Sequence, residues 1–84
     1  MVREMSEQKI KNDSNIHIGT NIRSIRKAHG IGQTELVRIL QIQGVIITRE
    51  TLVKIERGIQ HIQASQLRAI RDALQTSYDD LLKS

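Results

Sequence analysis

Between Gln33 and Gly58 the apolar residues fall at the spacing of two short helices rather than of strands. Leu36, Val37, Ile39 and Leu40 mark the first, expected over residues 33–42, and Gly44 interrupts it. Thr48 suits the start of a second helix, since its hydroxyl can accept a hydrogen bond from an unpaired amide of the first turn. That helix is expected over 49–56, with Leu52 and Ile55 three apart on its inner face. Arg49, Glu50, Lys54 and Arg57 then lie outward, and Gly58 stands where a left-handed residue ends a helix with little strain.

Similar periodicity flanks this pair. Ile18, Ile22 and Ile25 recur at intervals of four and three and predict a helix over 15–29, capped by Asp13, Ser14 or Asn15 and closed by Gly30. Its latter half is basic, through Arg23, Arg26, Lys27 and His29, which suits the negative end of the helix dipole. Downstream, Leu67, Ile70, Ala73 and Leu74 predict a fourth helix over 64–75, with Ile62 tucked beneath its start. Ser77, three residues before Asp80, resembles a capping box for a short fifth helix bearing Tyr78, Leu81 and Leu82. Residues 1–14 are polar and mixed in charge. They read as a flexible arm, solvated or following a nucleic-acid groove, ahead of a single domain over 15–84.

Composition narrows the class. The 84 residues contain no cysteine, so neither disulfides nor thiolate metal sites are available. Proline is absent and Tyr78 is the single aromatic, so the core must be built from Ile, Leu and Val. No apolar run approaches a membrane span, and the polar N-terminus has no signal-peptide pattern, so a cytoplasmic setting is expected. His17, His29 and His61 lack any carboxylate or second histidine at ligand spacing. With no nucleophile–base pair, paired carboxylates or phosphate-binding glycine loop, the chain does not read as an enzyme, and neither cofactor nor metal is expected. Net charge is +4, distributed as +3 over 1–30, +1 over 31–58 and 0 over 59–84. That excess suits a polyanionic partner but is too small to identify one.

The ordered set Gln33, Glu35, Leu36, Gly44, Ile47, Thr48, Leu52, Ile55, Glu56 and Gly58 resembles the helix-turn-helix of phage-repressor-like (Cro/C1, XRE) DNA-binding proteins. The likeness runs from about Ile18 to Leu82. It implies an all-α, five-helix domain of the lambda-repressor type, binding double-stranded DNA as a transcriptional regulator. Base contacts are then expected from Arg49, Glu50, Thr51 and Lys54, and phosphate contacts from Gln33, Thr48, Arg57 and Gln60. The family pairs an arginine of the first helix with the glutamate closing the recognition helix, which here implies a structural ion pair between Arg26 and Glu56. Two positions depart from the pattern: Gly32 stands where a capping side chain is common, and Val37 where a small alanine is preferred. A homodimer on a pseudo-palindromic operator is the implied arrangement, in a bacterial or phage setting. The alternative is an antitoxin or antirepressor whose main partner is another protein.

Overall fold

The computed structural model describes the backbone of Lys9–Ile10 and residues 17–84. Among the described residues five helices form: α1 (Ile18–Ala28), α2 (Gln33–Ile42), α3 (Arg49–Glu56), α4 (Ala64–Ala73) and α5 (Tyr78–Leu82). The all-α, five-helix architecture is the one expected, with α2 and α3 at its centre. One small addition is a two-stranded antiparallel ribbon. β1 (Lys9–Ile10) pairs with β2 (Ile62–Gln63), Lys9 opposite Gln63 and Ile10 opposite Ile62. The rest of the 1–14 segment lies outside the described residues, as do the caps expected at Asp13, Ser14 and Asn15. Rather than at Asn15, α1 opens at Ile18, after His17, with no side-chain cap.

The helices end by one recurring device. After α2 the chain turns through Gly44 at φ +87°, with the Gly44 amide donating to the Gln41 carbonyl and the Val45 amide to the Leu40 carbonyl. These two bonds satisfy carbonyls that the last turn would otherwise leave unpaired, and only a left-handed residue allows both. The same pair of bonds closes α1 at Gly30 and α3 at Gly58. It also closes α4, where the left-handed position is Gln75 at φ +51°. That early stop explains why α4 ends at Ala73 instead of residue 75.

A single core joins all five helices. Ile18 and Ile22 of α1, Leu36, Val37 and Leu40 of α2, and Leu52 and Ile55 of α3 are buried together with Leu67, Ile70, Leu74 and Leu81. Ile47, in the turn before α3, belongs to the core as well, whereas Ile25 is only half-buried at its edge. Ile62 is buried one residue before the Gln63 N-cap of α4, and the Gln63 amide donates to Gln66 Oε1 at 2.9 Å. In this way the ribbon strand β2 and the first turn of α4 are fixed as one unit.

Two contacts set how α1 meets its neighbours. Gly19 lies against the end of α3 so closely that a Cβ there would meet the carbonyl oxygens of Ile55 and Glu56, the latter at 2.8 Å. The side chain of Asn21 is buried and donates to the carbonyls of Leu81 at 2.9 Å and Lys83 at 2.8 Å. It thereby satisfies the end of α5, a five-residue helix too short to hold itself together.

Candidate nucleic-acid interface

Thr48 opens α3. Its backbone is extended, and its Oγ1 accepts from the Thr51 amide at 3.1 Å, as an N-cap requires. The same hydroxyl donates to Thr51 Oγ1 at 3.0 Å. Both threonine side chains are therefore engaged locally, and Thr51 is half-buried while Thr48 remains exposed.

At about 100° per residue, the buried positions Leu52, Ile55 and Glu56 occupy one side of α3, leaving Glu50, Lys54 and Arg57 within about 60° of one another on the opposite side. All three are exposed, and Arg49 is exposed at the N-terminal end. Glu50 and Lys54 stand one helical turn apart, so the outward face is mixed in sign rather than uniformly basic. A mixed face suits discrimination between bases, since a carboxylate repels phosphate but can accept from cytosine N4.

Behind this face lies a buried polar cluster. Arg26 Nε donates to Glu56 Oε2 at 2.8 Å and Arg26 Nη2 to Glu56 Oε1 at 2.9 Å, a two-pronged contact. The Arg26 and Glu56 side chains are 8% and 2% exposed. Arg26 Nη1 also donates to the Ile31 carbonyl at 2.9 Å, and Gln33 Nε2 donates to Glu56 Oε1 at 3.1 Å. The cluster therefore links α1, the loop after it, the start of α2 and the last residue of α3. No buried side-chain nitrogen or oxygen among the described residues lacks a partner.

The candidate residues fall into three groups. Glu50 and Lys54 share the outward side of α3, and Arg49 is exposed at its N-terminal end, beside Thr48 and Thr51. Gln33 and Arg57 come near each other through Glu56, because Gln33 bonds to the glutamate that immediately precedes Arg57. Gln60 is separate, exposed in the loop after α3 beside Ile59 and His61. The side-chain amide of Gln33, half-buried on Glu56, is less free to swing outward than its sequence position implies, although the α2 amide ends around it carry no side-chain cap.

Sequence reasoning overlooked Gly19 and Asn21. For Gly19 a signal existed: glycine inside an amphipathic helix costs about 1 kcal/mol relative to alanine, so it marks a close approach. Asn21 carried no such mark, because its partners lie 60 and 62 residues away.

A domain of five short helices, with one capped helix braced from behind and an exposed, mixed-charge outer face, defines the class of helix-turn-helix DNA-binding domains. The helix-turn-helix family model matches residues 22–81, and the chain belongs to that family, in its Cro/C1-type form. It is thus a DNA-binding domain of the kind used in transcription regulation. Comparison with curated proteins and with solved structures finds no significant match. Among the described residues no group of histidines and carboxylates could hold a metal ion, and no helix is long and apolar enough to cross a membrane.

Proposed function

We propose that the protein binds a specific duplex sequence and represses transcription by occupying an operator. The observation that carries this reading is the bracing of α3. Its last residue is tied to α1 and α2 through Arg26 and Gln33, while Arg49, Glu50 and Lys54 stand free on the outside. A helix held this firmly can present side chains to base edges without losing much freedom on binding.

In this reading α3 enters the major groove. Arg49 makes two hydrogen bonds to guanine O6 and N7, Lys54 reaches guanine, Glu50 accepts from cytosine N4, and Thr51 offers its methyl to thymine. Thr48, Arg57, Gln60 and the N-terminal turn of α2 at Gln33 hold phosphates, fixing register without reading sequence. One domain spans few base pairs, so a homodimer on a pseudo-palindrome, with half-sites about 34 Å apart, supplies the remaining specificity. The setting is the cytoplasm, bacterial or phage-derived, with the protein on the nucleoid when bound.

Selection of bound duplexes from random DNA, with the wild type and Arg49→Ala in parallel, tests the reading. A palindromic motif in the wild type, relaxed at one guanine in Arg49→Ala, is the expected result. Enrichment of no motif, with binding that fades smoothly as salt rises, would reveal phosphate attraction alone. The search would then turn to a protein partner of the antitoxin or antirepressor kind.

A further inference from the structure

The turn between α2 and α3 exposes an isoleucine that neither the core nor the assigned contacts use. Along Val45, Ile46, Ile47 and Thr48 the side chains alternate: half-buried, exposed, buried, exposed. Ile47 is 3% exposed and Ile46 is 81% exposed. Such alternation puts Ile46 on the same side of the chain as Thr48, roughly 6–7 Å away along an extended backbone. Thr48 is the residue that opens the reading helix.

The backbone carrying Ile46 is held on both sides. The Val45 amide donates to the Leu40 carbonyl at 2.9 Å, and Gln41 Nε2 donates to the Ile47 carbonyl at 3.3 Å. The buried side chain of Ile47 anchors the segment to the core. Ile46 is thus a large apolar group presented to water from a fixed position. Leaving it there forgoes the stabilisation its burial would bring, which invites an apolar surface as its partner.

Building on the major-groove reading above, we propose that Ile46 is a specificity-determining residue that packs on the C5-methyl group of a thymine next to the base met by Arg49. The thymine methyl is the apolar feature of the major groove, and an aliphatic side chain is the matching contact. Ile46 borders the N-terminal end of α3, where Arg49, Glu50 and Thr51 lie, so its apolar side chain adjoins those three assigned base contacts. Ile42, also exposed, precedes the Gly44 turn and takes no part in the proposal.

The test begins from the duplex obtained by selection. Each thymine is replaced in turn by uracil, which lacks only the methyl group, and affinity is measured for wild type, Ile46→Val and Ile46→Ser. Wild type should lose roughly fourfold at one thymine per half-site, the weight of one buried methyl group. Ile46→Ser should show no loss at that position and Ile46→Val an intermediate one. Circular dichroism checks that the variants fold, as an exposed position allows. Equal uracil penalties in wild type and Ile46→Ser at every position would overturn the proposal while leaving the operator reading intact. Reduced dimerisation of Ile46→Ser, with unchanged base preference, would also overturn it and assign the side chain to a contact between protein chains. Failure to select any motif removes both readings together.

Discussion

Four residues show how much a single side chain decides in a domain of this size. Glu56 accepts three hydrogen bonds, two from Arg26 and one from Gln33, in a setting that excludes water. Removing one partner of such a pair leaves a buried charge unmatched, so Glu56→Ala is expected to cost about 3–5 kcal/mol in urea denaturation. An unchanged midpoint would show that the pair contributes little. At Gly19 the neighbour is backbone, which cannot step aside as a side chain can. Gly19→Ala should therefore destabilise by roughly 1–3 kcal/mol despite alanine's better helix propensity, and a gain in Tm would refute the close approach. Gln75 presents the opposite case, a residue with a Cβ held at φ +51°. Gln75→Gly is expected to stabilise by about 0.5–2 kcal/mol, as improved helix caps commonly do, read as a higher Tm. Arg57, outward on α3, is argued from charge alone: Arg57→Ala should weaken DNA binding evenly across sequences and reduce the slope of log K against log salt by about 1.

Elements were more legible than their connections. The bounds of α2 and α3 follow from local signals: the period of Leu36, Val37 and Leu40, the Thr48 cap, and glycines where left-handed residues are needed. The start of α1 was less accessible, because the polar residues ahead of it offer several plausible caps and the observed one, His17, makes no side-chain cap bond. The end of α4 was also hidden, since Gln75 does not advertise a left-handed conformation as glycine does. Neither the β1–β2 pairing nor the grip of Asn21 on α5 leaves a local trace, as both join segments more than fifty residues apart. The outward face of α3 was readable from helical spacing, whereas the engagement of Gln33 with Glu56 needed the packing of α2 against α3. Asn21→Ala tests the non-local element directly. The buried Leu81 carbonyl would lose its partner, and hydrogen exchange should report selective opening of α5, with a cost of about 1–3 kcal/mol.

For the molecule as a whole, the shared way in which four helices end has a kinetic meaning. Each stop is written within about six residues of chain, so α1 to α4 can find their limits before any distant contact exists. Chains dominated by such local contacts fold in microseconds to milliseconds. The late event is then the docking of α5, whose hold on Asn21 reaches across 60 and 62 residues of chain. A chain in which that docking has not yet occurred would have α3 shaped but α1 without the α5 contact. Competence to bind DNA would thus wait on that one distant contact, which steadies α1 after every helix limit has been set.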